Sequence, residues 1–212
     1  MIAMAFFLIA ILFGTLAEYG VHRLMHARVI LGRRHAEHHH DGWGQAFWPE
    51  FLDYILRGLP LLLPPWLLSV EAGAGWTSGA VLYTAFMAYA HTLQHDNPAA
   101  CCWMRIPVHY VHHRDKQWHH NFGLTVDWWD RLLGTYKPAQ VGAKGTEEQG
   151  WRGLLAIRWF GRGAPPNWEC RERRPADPMF PRQRSFSSRD VCRASRTVLQ
   201  PVEFGPADLA GE

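Results

Sequence analysis

The chain opens with a long apolar segment. Residues 1–17 carry no charged side chain. As a helix rising about 1.5 Å per residue they would span about 25 Å, close to the hydrocarbon thickness of a bilayer. A cleaved signal peptide is the alternative, but the segment has no basic start and runs without a cleavage motif into Glu18 and His22. The pattern therefore predicts a membrane-spanning helix.

Two shorter apolar runs follow, at residues 59–70 and 76–90. Pro60, Pro64 and Pro65 interrupt the first run, and each run alone is marginal for crossing a bilayer. Together they predict a helical hairpin that turns near residues 71–75. With the first helix, this hairpin gives three membrane crossings.

Basic residues avoid these apolar segments. No Lys or Arg precedes Arg23, and none lies between Arg57 and Arg105. Cytosolic loops of membrane proteins are enriched in Lys and Arg. The distribution therefore places the regions that follow the first span and the hairpin in the cytosol, and the N-terminus and hairpin tip outside.

The composition changes near residue 160. Residues 161–212 are rich in Arg and Pro, contain few apolar side chains and show no helical period, which is typical of a disordered segment. We predict one folded domain over residues 1–160 and a disordered cytosolic tail over residues 161–212.

Histidine is the unusual residue in this composition, with 13 in 212 residues. The formal net charge of +3 is mild, and it gives no case for a nucleic-acid partner. The four cysteines form no CxxC pair, which argues against a structural zinc knuckle or a thioredoxin-like site. The histidines are therefore the candidate chemistry.

Ten histidines fall into four short motifs. HRLMH (residues 22–26) and HTLQH (residues 91–95) have the form HxxxH, whereas HAEHH (residues 35–39) and HYVHH (residues 109–113) have the form HxxHH. The order HxxxH, HxxHH thus occurs twice. Chance pairs of surface or core histidines do not explain such a repeat.

These spacings match a helix, in which residues three or four apart share a face. HxxxH then aims two imidazoles at one point, and HxxHH aims three into one sector. Ten imidazoles exceed what one four- or five-coordinate metal can use, but they suit two. Imidazole binds Fe, Zn, Cu and Ni, so the set alone leaves the metal open. His40, His119 and His120 fall outside the pattern, and we expect them to be solvated or in supporting positions.

Neutral imidazoles leave a two-metal site strongly positive, so nearby carboxylates are expected to contact the rings and fix their tautomers. The candidates are Glu18, Glu37, Asp96, Asp115 and Asp130.

The four motifs together resemble the fatty acid hydroxylase / sterol desaturase superfamily. The continuation HHNFGLTVDWWDRLLGTY (residues 119–136) is similar as well, because the superfamily follows its last HxxHH with Asn-[Phe/Tyr]-Gly and then Trp-Asp-x-[Leu/Phe]-[Leu/Phe]-Gly-Thr. The resemblance covers roughly residues 15–137.

This resemblance implies an all-α fold of integral-membrane helices with a cytosolic helical cap, and makes residues 1–160 a membrane-bound hydroxylase-like domain. It implies a site for two Fe ions, which zinc can also occupy. It also implies that O2 is the co-substrate for hydroxylation or desaturation of a lipid. Electrons would come from a separate donor, a cytochrome b5-like protein or a ferredoxin. Carried over motif by motif, the metal ligands would be His22, His26, His35, His38, His39, His91, His95, His109, His112 and His113.

Three other functions fit parts of the pattern. A membrane-embedded zinc hydrolase would use Glu37 inside HAEHH as its base, but leaves most of the other histidines without a role. A metal transporter would place ionisable residues within its spans, but residues 1–17 and 76–90 contain no charged side chain. A family member that binds metal without oxidase activity stays open.

Overall fold

The computed structural model describes residues 1–42, 44–139 and 151–161, all within one compact unit, Met1–Asn167. The helices are α1 (Ile2–His26), α2 (Gly32–Asp41), α3 (Phe47–Leu62), α4 (Val70–Asp96), α5 (Val108–Arg114), α6 (Trp128–Leu132) and α7 (Trp151–Leu155), with 3-10 turns at Pro64–Leu67 and Pro98–Ala100. The described ranges contain no β-strand, which agrees with the predicted all-α class. The predicted tail, beyond Gly161, lies outside the described residues.

Helix α1 is the apolar segment predicted from the start of the chain, and it extends to the first histidine motif. Within the described residues it is the helix that is long and apolar enough to cross a membrane. Its surface is apolar: Leu8 is 57% exposed and Leu12 is 56% exposed. The two further crossings predicted over residues 59–90 stay predictions.

The hairpin of α3 and α4 differs from the predicted one in its turn. Residues 71–75 were expected to form the turn, but they lie inside α4. The chain instead turns around Pro64 and Pro65, whose rings end the helical hydrogen bonding. Ser69 then starts α4, because its hydroxyl accepts a hydrogen bond from the Ala72 amide at 3.1 Å. Pro60 lies within α3 and does not end it.

Helices α1 and α4 pack side by side and run in the same direction. An added Cβ on Gly75 would overlap the backbone of Ala3, and one on Gly79 would lie 2.5 Å from the Phe7 carbonyl oxygen. Small residues of this kind let two helix backbones approach closely. Because the contacts advance together along both helices, the C-terminal ends of α1 and α4 lie at one end of the bundle.

The hydrophobic core lies at that same end. Its buried members include Phe47 on α3, Leu93 on α4 and Val108 on α5. The backbone of Arg158 caps α3, since the Phe47 amide donates to its carbonyl at 2.9 Å, and its guanidinium pairs with Asp96 at 2.9 Å. This core anchors the three helices and holds the C-terminal end of α4 in place.

Candidate metal centre

All ten histidines of the four motifs lie at the end of the bundle where α1 and α4 terminate. They come from four helices: α1 and α4 each supply an HxxxH pair, and α2 and α5 each supply an HxxHH triplet. The ten are His22 and His26, His35, His38 and His39, His91 and His95, and His109, His112 and His113.

Five of these rings form a first group, consisting of His22, His26, His35, His39 and His112, whose ligand atoms all lie within 4.8 Å of one another. The Nε2 atom of His26 lies 2.9 Å from Nε2 of His35 and 2.8 Å from Nε2 of His112. The Nε2 atoms of His35 and His39 are 3.0 Å apart. Three helices therefore aim the same ring atom at one small volume.

Four other rings form a second group, consisting of His38, His91, His95 and His109, again with ligand atoms within 4.8 Å of one another. The Nε2 atoms of His38 and His91 are 3.2 Å apart, as are those of His95 and His109. His91, His95 and His109 are buried and His38 is half-buried, so this group lies deeper than the first.

The HxxHH motifs divide between the groups, contrary to the expectation that each would aim three rings into one sector. His35 and His39 belong to the first group and the adjacent His38 to the second; likewise, His112 belongs to the first group and His109 to the second. Consecutive helical residues differ by about 100° around the axis, so His38 and His39 point to different sides of α2. His109 and His112 share a face of α5 but lie about one turn apart along it. Each half of the sequence thus contributes to both groups.

His113 lies between the two groups and is assigned to neither by distance. Its ring stacks on His39 with centroids 3.9 Å apart, and it lies 4.5 Å from the His38 ring and 4.6 Å from the His109 ring. Both ring nitrogens are buried and have no hydrogen-bond partner. Such a group is costly to bury unless something else contacts it.

Three rings have their Nδ1 atoms held by an acceptor. Nδ1 of His22 lies 2.6 Å from the Phe122 carbonyl oxygen, and Nδ1 of His112 lies 2.7 Å from the His120 carbonyl oxygen. Nδ1 of His91 lies 2.6 Å from a carboxylate oxygen of Glu50. Because the two carbonyl oxygens only accept, Nδ1 of His22 and of His112 carries the proton, and Nε2 of each neutral ring keeps a free lone pair. That is the tautomer in which Nε2 can bind a metal.

Glu50 contacts the second group and was not predicted from the sequence. It is 2% exposed and accepts a second hydrogen bond from the Gln45 amide at 2.8 Å. The available signal was a lone acidic residue between aromatic neighbours, in FWPEF (residues 47–51). A buried carboxylate is unusual without a partner.

The five carboxylates predicted to contact the rings have other partners. Glu37 pairs with Arg33 at 3.3 Å, and Asp115 pairs with the adjacent Arg114 at 2.6 Å. Asp96 pairs with Arg158. Glu18 and Asp130 are buried and bind backbone amides of residues 122–125. The expectation failed for Glu37 and Asp115 because each of these side chains pairs with a nearby arginine instead.

The histidines outside the motifs are peripheral. His40 is exposed and lies 3.3 Å from Asp41. His120 contributes its backbone carbonyl to His112 rather than its ring.

The buried imidazoles are held neutral. Desolvation, followed by the neighbouring imidazole of His26, lowers the pKa of His35 to about 2. Desolvation lowers the pKa of His112 to about 3. Burial likewise holds the pKa values of His39, His109 and His113 well below the usual range, with adjacent imidazoles adding to the effect. Neutral imidazole is the form that binds a metal.

The geometry fits transition-metal ions. Two imidazole nitrogens bound at right angles to one metal at about 2.1 Å lie about 3.0 Å apart, and the Nε2 pairs span 2.8 to 3.2 Å. A chain of ring-to-ring hydrogen bonds is a poor alternative, because Nε2 of His26 lies within 3.2 Å of three other Nε2 atoms. A ring nitrogen offers either one N–H or one lone pair, so these contacts cannot all be hydrogen bonds. The buried Nε2 of His22 has no partner. Two groups of nitrogen donors thus suit two ions of Fe, Zn, Cu or Ni.

The part of the chain that contains the four histidine motifs also matches known proteins. The profile of the family described as fatty acid hydroxylase matches residues 7–135. The chain is 30% identical over 139 residues to the Delta(7)-sterol 5(6)-desaturase of Leptosphaeria maculans, covering 60% of this chain and 35% of that protein. It is 27% identical over 143 residues to the dihydroceramide fatty acyl 2-hydroxylase of Arabidopsis thaliana, covering 61% of this chain and 60% of that protein. The chain therefore spans less than two thirds of either relative. No solved structure matches it significantly.

Proposed function

Because the chain belongs to the fatty acid hydroxylase family, we propose that it is a membrane-bound oxidoreductase that hydroxylates or desaturates a C–H bond of a lipid, using two histidine-bound iron ions and O2. The observation that carries this proposal is the pair of histidine groups, in which four helices aim neutral imidazoles at two adjacent points. The proposal keeps both reactions because one relative is named a desaturase and the other a hydroxylase.

The two groups define the proposed ligands. His22, His26, His35, His39 and His112 hold one ion, and His38, His91, His95 and His109 hold the other. His113 completes the second set, because its unpartnered ring lies against His38 and His109. Bound iron would supply the activation of O2 and the removal of hydrogen from an unactivated carbon, a chemistry that side chains lack.

The chain's own contribution is to hold, orient and shield. Burial keeps the imidazoles neutral, so no proton has to leave before a metal binds. Glu50 and the carbonyls of His120 and Phe122 orient three of the rings. The full burial of His109 and His112 keeps bulk water from these ring atoms, which protects an oxidising site from side reactions.

A lipid substrate fits the surface that surrounds the centre. Exposed apolar side chains cover α1 and α3, among them Leu12, Leu16, Leu52 and Leu56. Contiguous exposed apolar surface marks contact with a membrane or another protein. We propose that α1 and the α3–α4 hairpin lie in the bilayer, so that a lipid reaches the histidines from the bundle sides.

The proposed orientation follows the basic residues. Arg23 and Arg28 come directly after the apolar part of α1 and are exposed, and the positive-inside rule places such residues in the cytosol. The metal centre would then face the cytosol, as would the tail beyond residue 161. There an external donor, a cytochrome b5-like protein or a ferredoxin, would deliver electrons. No nucleic-acid partner is proposed.

A zinc hydrolase is a weaker candidate. Its general base would be Glu37, but that carboxylate is exposed and lies 3.3 Å from the Arg33 guanidinium. A base must lie within hydrogen-bond reach of the water it activates. Glu37 instead points away from the rings on either side of it.

Three consecutive histidines provide the test. His38 belongs to the second group and His39 to the first, whereas His40 is exposed beside Asp41. We expect the full chain, purified in detergent, to contain two metal ions, and cells expressing it to accumulate a lipid that has gained one oxygen atom or lost two hydrogen atoms. His38→Ala and His39→Ala should each lower metal content and abolish product, and His40→Ala should change neither. A wild-type protein with no more than one ion would refute the two-metal proposal, and intact activity in H38A would refute the ligand set.

A further inference from the structure

The backbone loop of residues 120–125 lies against the first histidine group and presents its carbonyls to it. The Phe122 carbonyl accepts from Nδ1 of His22 at 2.6 Å, and the His120 carbonyl accepts from Nδ1 of His112 at 2.7 Å. One short stretch of backbone thus fixes the tautomer of two rings of the first group, which lie on different helices.

Two buried carboxylates bind the opposite side of this loop. Asp130 on α6 accepts from the amides of Phe122 and Gly123, both at 2.8 Å. Glu18 on α1 accepts from the amides of Leu124 and Thr125, at 3.2 and 2.9 Å. Four consecutive amides are therefore bound by two side chains. With four successive amides bound by two side chains, the backbone of the loop cannot rotate without losing hydrogen bonds, so this arrangement fixes the loop.

The same loop reaches the second group through one intermediate. The Leu124 carbonyl accepts from the side-chain amide of Gln94, and the side-chain oxygen of Gln94 accepts from the backbone amide of His109 at 2.9 Å. Gln94 thereby links the loop to the start of α5, the helix that carries His109 and His112.

The carboxylates are themselves fixed in place. Glu18 accepts from the hydroxyls of Tyr83 at 2.7 Å and Thr125 at 2.8 Å. Asp130 accepts from the Thr135 hydroxyl at 2.7 Å. The loop also has no spare room, since a Cβ on Gly123 would overlap the Val126 carbonyl and lie 3.1 Å from Asp130.

We infer that Glu18 and Asp130 are positioning residues of the histidine centre: they hold the 120–125 loop so that its carbonyls keep Nε2 of His22 and His112 unprotonated and aimed at the first group. Neither carboxylate is proposed to touch a metal or a substrate. The inference rests on the proposed function only in taking those Nε2 atoms as ligands.

The direct test is the ring tautomer in metal-free protein. The full chain, labelled with 15N-histidine and stripped of metal in detergent micelles, should show His22 as the Nδ1–H tautomer, with its signal identified by its loss in His22→Gln. We expect Glu18→Gln and Asp130→Asn to turn this signal into a mixture of tautomers. Asp127→Asn is the matched control, because Asp127 precedes α6 but pairs with Arg131 at 2.7 Å instead of the loop.

Cobalt binding gives the second readout. In a Co2+ titration of the same preparations, E18Q and D130N should weaken the binding of at least one ion by about 10- to 100-fold, the usual effect of losing a partner behind a histidine ligand, and D127N should bind like wild type. Gly123→Ala displaces the loop while both carboxylates stay in the sequence, because its Cβ would overlap the Val126 carbonyl. It should reproduce both effects, and it replaces E18Q or D130N as the test if either of those variants lacks wild-type helix content.

The outcomes separate the two proposals. An unchanged His22 tautomer in the folded variants, G123A included, overturns the positioning role. A wild-type chain that binds fewer than two Co2+ ions refutes the two-metal function, while the tautomer measurement still decides the role of Glu18 and Asp130.

Discussion

Nδ1 of His91 on α4 lies 2.6 Å from a carboxylate oxygen of Glu50 on α3, and both side chains are buried. A carboxylate behind a histidine ligand fixes the ring and makes its other nitrogen a stronger donor. The pair also ties α3 to α4 at the level of the second histidine group. Helix α3 carries none of the ten motif histidines, so this contact is its link to the centre.

Removal of the Glu50 carboxylate should weaken metal binding at the second group selectively. We expect Glu50→Gln to lower affinity for one of two bound ions by about 10- to 100-fold and to leave the other unchanged, measured by isothermal titration with Co2+. Asp53→Asn is the control, since Asp53 lies one turn away and pairs with Arg57 at 2.8 Å. Equal affinities in E50Q and wild type would contradict the role of Glu50.

The histidine set could be predicted from sequence because its geometry is local: the spacing of HxxxH fixes which rings share a helical face, whatever the tertiary structure. The division of HAEHH, with His38 in one group and His39 in the other, depends on how α2 is rotated against α1 and α4. Glu50 was missed for a similar reason, since only the α3–α4 packing brings residue 50 to residue 91. The turn of the hairpin was misplaced because the Gly-containing stretch 71–75 resembles a turn, whereas Ser69 starts the helix before it.

The metal-free protein should lose stability as the pH falls. The folded-state pKa values of His35 and His112 are lowered to about 2 and about 3, whereas an unfolded histidine titrates near 6.5. Below about pH 6.5 the unfolded chain therefore binds more protons, and each such histidine removes about 1.4 kcal/mol of stability per pH unit. Above this pH both rings are neutral in the folded and the unfolded chain, so protonation no longer lowers the stability.

Urea unfolding of the metal-free chain at pH 7.5, 6.5 and 5.5 checks this expectation, with values chosen around the unfolded pKa of about 6.5. The unfolding midpoint should be highest at pH 7.5 and lowest at pH 5.5. His112→Gln should make the decline shallower, and the exposed His40→Ala should not. A midpoint that stays constant over this range would show that the rings are not buried as neutral imidazoles.

The close approach of α1 and α4 predicts a strong effect of one methyl group. Gly75→Ala should destabilise the protein by about 1 to 3 kcal/mol, the usual cost of overpacking, because the new Cβ overlaps the backbone of Ala3. Gly58→Ala on α3 meets nothing within 4 Å, and it should be neutral or stabilise by about 0.5 to 1 kcal/mol. Thermal unfolding in detergent would reveal the difference, and equal melting temperatures would mean that the two helices are not in contact at this point.

His113→Phe should change stability and metal binding in opposite directions. Both ring nitrogens of His113 are buried without a hydrogen-bond partner, so replacing the ring with an apolar one removes a desolvation cost of about 1 to 3 kcal/mol. Phenylalanine keeps the stacking on His39, whose centroid lies 3.9 Å away. The metal-free variant should therefore be as stable as wild type or more so, as measured by thermal unfolding.

If His113 completes the second group, the same H113F variant should bind one of its two metal ions more weakly, as measured by Co2+ titration. Its rise in melting temperature on metal addition should accordingly be smaller, because a bound ion stabilises the folded state in proportion to its affinity. His40→Phe is the control, since His40 is exposed beside Asp41 and should leave metal binding unchanged. Wild-type metal affinity in H113F would assign the ring to packing and leave the second ion with four histidines.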